Sequence, residues 1–336
     1  MNKPKLLLFC GWQWAATSPL IYTLQRNVKY AHFGYTKGFK YLGKPKWEDN
    51  KLIFKNSYKN NAVKIYEKLS QGVWKNYKSH TPATHRMNLS VDLEPLDDFP
   101  ISHYDRLMTG QPTITKYMDF YHALYDHVVT KGYKSVGDAH TGRLVREDWK
   151  FSKIEYLQFI KQYTETLKSE FDIKVLCIAR DPVRRAFSNY IFNVKKKGDK
   201  RFRGFREDPS RTLPAEILFH DYVHDINTIR QFFGDNIHVI VMEELWERDG
   251  ATVLSEYLEH PIKKSDLWKN LYAPDKGHFV KYDKDVPCQA YGQDLLVLTP
   301  EIYWHYREKH DYIYKNWKKT YGSLPLHWGK PIEYKA

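Results

Sequence analysis

Residues 174–190 read KVLCIARDPVRRAFSNY, and no other stretch says as much about how this chain folds. Residues 175–179 form a short apolar run rich in β-formers, which is typical of a strand buried on both faces. The Asp-Pro pair at 181–182 reads as the N-cap and first residue of a helix. Arg180 and Ser188 would then flank a helix start, where phosphate binds well. We predict a phosphate-binding corner here; the alternative is a structural corner in which Arg180 pairs with the aspartate.

A comparable pattern lies near the N-terminus. Residues 6–10 form a second buried-strand pattern, residues 11–18 read GWQWAATS, and a helical stretch follows to about Gln25. A strand, a turn of small residues, Thr-Ser and a helix favour an anion, because backbone N–H groups, hydroxyls and the helix dipole all point toward it. The pattern predicts a phosphate-binding loop, and the alternative is a plain hydrophobic strand-turn-helix unit.

Together these motifs resemble those of the sulfotransferase family, whose members transfer a sulfuryl group from 3′-phosphoadenosine 5′-phosphosulfate (PAPS) to a hydroxyl or amine. The family places Arg-Asp-Pro after a strand and a serine eight residues after the arginine, and Arg180 and Ser188 match both positions. A later Lys-Gly pair at 276–277 resembles the family's loop over the 3′-phosphate and adenine. Between them, a strand pattern at 237–242 is followed by Glu-Glu-Leu and a helix from about 250 to 259, as is typical of the family.

The resemblance implies that PAPS, with no metal, is the sulfuryl donor and that three loops bind it. The implied binding residues are Gln13, Trp14, Ala15, Ala16, Thr17, Ser18, Arg180, Ser188, Lys276, Gly277 and His278. Two of them depart from the family pattern, since Trp14 replaces a Lys or Arg and Ala16 replaces a glycine. Loss of one such charge stabiliser typically costs about 3–4 kcal/mol of transition-state energy. A catalytically impaired protein that still binds PAPS or its product is therefore an alternative.

The acceptor-activating groups are less well defined. Lys37 matches the lysine of a Lys-Glu pair found in glycan sulfotransferases, but Gly38 stands where the general base would be. In residues 135–143, Asp138 aligns with a family glutamate, and His140 has an unperturbed pKa near neutrality. We therefore predict His140 or Asp138 as the base and Lys37 as an added charge; the alternative for each is a polar residue without a proton-transfer role.

These elements predict a three-layer α/β/α fold with a central, mainly parallel sheet, related to phosphate-loop nucleotide-binding folds and to sulfotransferases. The loops after the two strands should lie at the carboxyl edge of the sheet, where such folds bind ligands. We expect one domain over residues 1–336, because strand and helix patterns alternate without a linker. An insertion around 38–130 and a basic flap around 195–211 would shape the acceptor site.

The net charge of +13 indicates a surface that attracts anions. We expect a hydroxylated acceptor, which could be acidic, such as a glycan, and no nucleic-acid partner, because nucleic-acid binding would not explain the ordered motifs. A solvated basic surface is the alternative. A phosphate-loop nucleotide kinase is a further alternative, weakened because the Gly-Lys-Ser/Thr of that motif is absent.

The cysteine content and hydropathy suggest a compartment. Three widely spaced cysteines favour a reducing environment. The N-terminal segment is similar to a signal peptide, but Gln13 and the polar residues 17–18 interrupt its apolar run. No stretch approaches the roughly 20 apolar residues of a membrane span. We expect a cytoplasmic protein without a membrane span.

Overall fold

The computed structural model describes residues 3–11, 17–34, 45–48, 51–54, 98–108, 113–139, 153–187, 219, 221–247, 249–267 and 300–331. The strands in these ranges are β1 Lys5–Gly11, β2 Ala31–His32, β3 Pro45–Glu48, β4 Lys51–Phe54, β5 Ser135–Asp138, β6 Asp172–Ala179 and β7 Ile237–Val241. The helices are α1 Thr17–Tyr22, α2 Ile101–Met108, α3 Ile114–Val129, α4 Lys153–Glu170, α5 at 182–187, α6 Tyr222–Phe233, α7 Met242–Glu247, α8 Gly250–Leu258, α9 Pro300–Lys309 and α10 Asp311–Tyr321. A π-helical turn, Thr23–Asn27, continues α1.

A five-stranded sheet with the strand order β2-β5-β1-β6-β7 forms the centre of the fold. All of its neighbouring strands run parallel. The longest pairing joins β1 to β6, from Lys5 opposite Asp172 to Gly11 opposite Ile178. Strands β3 and β4 form a separate antiparallel pair. The predicted α/β class with a central parallel sheet is confirmed.

Both faces of the sheet are covered, because alternate residues of each strand enter different cores. In β1, Leu6 and Leu8 enter one core with residues of α3, α4, α6, α9 and α10. Leu7 and Phe9 enter the other core with residues of α1, α7 and α8. Parallel strands buried on both faces need continuous apolar runs, which explains why the sequence pattern was clear. The arrangement is the predicted three-layer α/β/α sandwich.

Aromatic residues at helical spacing in α3 belong to the core. Tyr117 and Tyr121 are buried, and their ring centroids lie 4.6 Å apart. Tyr125 is partly buried and packs against the same core. The helical spacing of these aromatic residues therefore serves core packing.

Among the helices that the structure describes, none combines the length and the apolar character that crossing a bilayer would require.

Candidate functional site

The candidate site lies where β1 and β6 end side by side. From β1 the chain continues through α1 to β2 on one side of the sheet, and from β6 it re-enters the sheet at β7 on the other side. Such a divergence of neighbouring strands opens a crevice at the carboxyl edge, where open α/β sheets bind ligands. Gly11 pairs with Ile178, so the two motifs start from adjacent strands, about 4.8 Å apart. The predicted carboxyl-edge location of both loops is confirmed for the residues at which they begin.

Arg180 is the first residue after β6, and it is partly exposed at this edge. Its carbonyl oxygen accepts a hydrogen bond of 3.0 Å from the Tyr222 hydroxyl, which fixes the peptide that follows it. Burial raises the pKa of the neighbouring Glu243 carboxyl, and the positive charge of Arg180 opposes that rise. Arg180 therefore contributes positive charge at the crevice from a fixed backbone.

Asp181 caps α5, as the Asp-Pro pattern predicts. Its Oδ1 accepts a hydrogen bond of 3.0 Å from the backbone N–H of Arg184. Its Oδ2 accepts hydrogen bonds from Tyr303 Oη at 2.7 Å, Tyr314 Oη at 3.2 Å and the Gly329 N–H at 3.2 Å. The residue is fully buried. Since the protein's own carboxylate occupies this helix start, a phosphate at the corner would depend on side chains.

A buried ion pair lies behind the corner. Glu243 follows β7 and accepts hydrogen bonds from the Asp181 N–H at 3.1 Å and from Trp328 Nε1 at 3.0 Å. The Arg184 guanidinium lies 3.9 Å from Glu243 Oε1 and donates to the Lys330 carbonyl at 2.8 Å. Arg184 and Glu243 are both at most 8% exposed as side chains. Arg184 is thus engaged with the C-terminal segment.

Asp138, a predicted base, ends β5 and pairs in register with Leu8 of β1. It therefore lies at the same carboxyl edge as the crevice. Its carboxylate is buried and accepts a hydrogen bond of 2.7 Å from the Tyr117 hydroxyl of α3. The Tyr163 hydroxyl lies 3.4 Å from that of Tyr117. A role of Asp138 as the base stays a prediction.

The remaining predicted site residues are not described by the structure in full. Those outside the described residues are Gln13, Trp14, Ala15, Ala16, Lys37, His140, Ser188, Lys276, Gly277 and His278. Thr17 and Ser18 are the first residues of α1, and their side chains are not among those described. Of the predicted set, Arg180 and Asp138 are therefore the side chains whose surroundings are known.

Sequence reasoning missed the residues that surround Asp181. Tyr303, Tyr314, Trp328 and Gly329 come from the last part of the chain, and no spacing relates them to the Arg-Asp-Pro motif. The one available signal was the corner itself, because an aspartate that follows a buried strand needs several hydrogen-bond donors.

His32 is a core histidine. It is buried, its Nδ1 accepts a hydrogen bond of 3.0 Å from the Gly34 N–H, and its ring packs edge-on against Tyr133. Within the described ranges, no group of three or more His, Cys, Asp or Glu side chains is arranged to hold a metal ion.

Comparison with known proteins finds two similar solved structures. No protein-family model and no curated protein matches the chain in sequence. The solved structure of a sulfotransferase from Alicyclobacillus acidocaldarius is 16% identical, covers 98% of this chain and 99% of its own, and has a TM-score of 0.43. A sulfotransferase from Mycobacterium avium is 13% identical, covers 96% of this chain and 78% of its own, and has a TM-score of 0.40. Both matches are with sulfotransferases and extend over nearly the whole of this chain.

Proposed function

We propose that the protein binds PAPS in the crevice between β1 and β6 and transfers its sulfuryl group to a hydroxyl or amine of an acceptor. One observation supports this most strongly. The Gly11–Ile178 pairing starts two motifs, distant in sequence, from adjacent strands whose connections diverge. Arg180, the key residue of one motif, is partly exposed at that edge.

The donor fits the groups that are described at the crevice. A guanidinium binds phosphate through paired, charge-assisted hydrogen bonds, so Arg180 suits the 3′-phosphate. Ser188 and the Lys-Gly loop at 276–278 would complete that end of the site. The segment 13–18 would bind the 5′-phosphosulfate, since α1 begins at Thr17, within its last two residues.

The reaction would be an in-line displacement at sulfur. An acceptor oxygen or nitrogen forms the new bond to sulfur while the bond from sulfur to the 5′-phosphate oxygen breaks, and adenosine 3′,5′-bisphosphate leaves. The acceptor proton passes to a base, for which Asp138 and His140 are the candidates. Catalysis would come chiefly from positioning and from positive charge near the sulfuryl oxygens. Lys37 or a residue of the basic flap would supply charge that Trp14 cannot.

The acceptor would be hydroxylated, and an acidic glycan suits the net charge of +13. The whole chain would act as one domain. The insertion around 38–130 and the flap around 195–211 would shape the acceptor side of the crevice. We infer a cytoplasmic protein from its cysteine usage.

A second function uses the same site without transfer. Trp14 and Ala16 stand where the family has a cation and a glycine, which favours a protein that binds the nucleotide and reacts slowly or not at all.

Two measurements test these functions. Calorimetric titration with adenosine 3′,5′-bisphosphate, adenosine 5′-monophosphate and ATP measures whether the site prefers the 3′-phosphate. Transfer of radiolabelled sulfate from PAPS to a panel of glycans and phenols then measures catalysis. Tight binding with transfer supports the sulfotransferase, and tight binding without transfer supports the impaired protein. A preference for ATP, or no binding, would contradict both.

A further inference from the structure

We propose that Tyr303, Tyr314 and residues 326–330 form a carboxyl-terminal clasp that positions the Arg180 corner and keeps the Asp181 carboxylate from competing with phosphate for Arg180. This inference rests on the proposed function, because it assigns the clasp to the 3′-phosphate end of that site. It makes the clasp residues positioning residues, since none of them is placed in contact with the donor.

The clasp first occupies the Asp181 carboxylate. An ionised carboxylate offers about four acceptor sites. Asp181 receives four hydrogen bonds, one from Arg184 N–H and three from the clasp, namely from Tyr303, Tyr314 and Gly329. Burial, and then the charge of Asp181, raise the pKa of both tyrosines, so they remain protonated donors. The carboxylate is thereby directed into the interior, although it belongs to the residue next to Arg180.

The clasp also holds the elements around the corner together. The Leu326 N–H donates to Glu244 Oε1 at 3.0 Å, and Trp328 Nε1 donates to Glu243 Oε2 at 3.0 Å. Glu243 in turn accepts from the Asp181 N–H. Residues 326–330 therefore link the start of α7 to the peptide that follows Arg180.

The packing of Trp328 and the backbone conformation of Gly329 hold the clasp in place. Trp328 is 2% exposed, and its ring lies against those of Tyr222, Tyr314 and Trp317. Gly329 has a φ of +75°, a backbone angle that residues other than glycine adopt only at an energetic cost. A Cβ there would also lie 3.2 Å from Leu324 Cδ1. A fixed backbone at this point is what lets its N–H reach the Asp181 carboxylate.

The consequence for Arg180 is direct. Tyr222, which bonds the Arg180 carbonyl, packs against Trp328, and Glu243, which bonds the next N–H, is bonded to the same tryptophan. When donors to Asp181 are removed, the carboxylate of the residue that follows Arg180 gains acceptor capacity. It would then pair with Arg180 and weaken the binding of a 3′-phosphate, while the 5′ end of the nucleotide would be unaffected.

The test measures the preference of the protein for adenosine 3′,5′-bisphosphate over adenosine 5′-monophosphate. A general loss of stability would not change this ratio of affinities. Calorimetry gives the dissociation constants of adenosine 3′,5′-bisphosphate and adenosine 5′-monophosphate for the wild type and for the double variant Tyr303→Phe/Tyr314→Phe. We expect the wild type to prefer the bisphosphate at least tenfold, as charge-assisted hydrogen bonds allow, and the double variant to lose most of that preference. Affinity for the monophosphate should change less than threefold.

Tyr257→Phe is the matched control. The Tyr257 hydroxyl also bonds β6, but at Val175, away from the corner, with distances of 2.9 and 3.1 Å to its nitrogen and oxygen. This variant should lower the melting temperature and keep the preference. If the double variant does not fold, Tyr314→Phe alone removes the longer hydrogen bond and should still lower the preference about twofold or more.

The outcomes separate the two proposals. A folded double variant with the full wild-type preference would overturn the clasp and leave the proposed function intact. Equal loss of preference in Tyr257→Phe would also overturn it, because the effect would then follow stability. A wild type without any preference for the bisphosphate would overturn the proposed function itself.

Discussion

Arg180 is the residue whose replacement tests the proposed recognition of the donor most directly. Replacing it by alanine removes the positive charge of a residue that is partly exposed at the carboxyl edge. Hydrogen bonds to charged groups contribute about 1.5–3 kcal/mol each, so Arg180→Ala should weaken binding of adenosine 3′,5′-bisphosphate by roughly 10- to 100-fold. Affinity for adenosine 5′-monophosphate should fall less than threefold, as calorimetry can show.

Arg230→Ala removes the same charge from an exposed position on α6 and serves as the control. A similar loss of bisphosphate affinity in both variants would mean that the overall field of the protein, and not the corner, attracts the nucleotide.

The contribution of Glu243 to the unfolding free energy should change with pH in a known direction. Burial raises the pKa of this carboxyl in the folded state, so the folded protein binds a proton there at a higher pH than the unfolded chain does. Its contribution to stability is therefore complete below the unfolded pKa, about 4.3, and is lost as pH rises through the folded value. The difference in unfolding free energy, wild type minus Glu243→Gln, should fall in urea titrations as the pH rises above the unfolded pKa.

Glu165→Gln controls for the change in net charge, because that residue is exposed on α4. A difference that grows with pH would contradict the assigned direction.

At the scale of the elements, β5 depends on a glycine. A Cβ at residue 137 would overlap the ring of Phe33, which follows β2 and belongs to the core with α1 and α8. Overpacking of this kind costs about 1–3 kcal/mol, so Gly137→Ala should lower the unfolding free energy by that amount.

Phe33→Leu tests the cause, since a smaller side chain leaves room for the new methyl group. We expect the double variant Gly137→Ala/Phe33→Leu to lose less unfolding free energy than the sum of the losses in the two single variants. Strict additivity in denaturant titrations would show that the cost arises elsewhere.

The elements also show what a sequence pattern can resolve. Residues 175–179 and 237–242 were predicted as strands because apolar runs between turn signals are typical of parallel sheets; β6 begins three residues earlier and β7 ends one earlier. The pattern near Gln25 predicted a helix, but not that its last turn is π-helical. Short elements such as β2 have too few residues for a periodic pattern, so pairing with β5 defines them.

For the whole molecule, local sequence patterns predicted the layers of the fold but not the contacts between distant segments of the chain. The parallel sheet and the carboxyl-edge position of Arg180 followed from strand-to-helix signals alone. The pairing of Gly11 with Ile178 and the contacts of Asp181 with Tyr303 and Gly329 join segments far apart in the chain. Such contacts depend on packing in three dimensions, which one sequence does not encode locally.

Because the net charge is +13, any polyanion will be attracted to the surface of the molecule. Specific binding of the nucleotide must therefore be distinguished from this general attraction. Adenosine 3′,5′-bisphosphate at 100 times its dissociation constant should stabilise the protein by about 2.7 kcal/mol and raise the melting temperature. Inorganic pyrophosphate at equal charge concentration tests the general field, since that effect is screened when the Debye length shortens. In 0.3 M salt the thermal shift with pyrophosphate should vanish and the nucleotide shift should largely remain; equal decline of both would mean that the crevice is not a specific site.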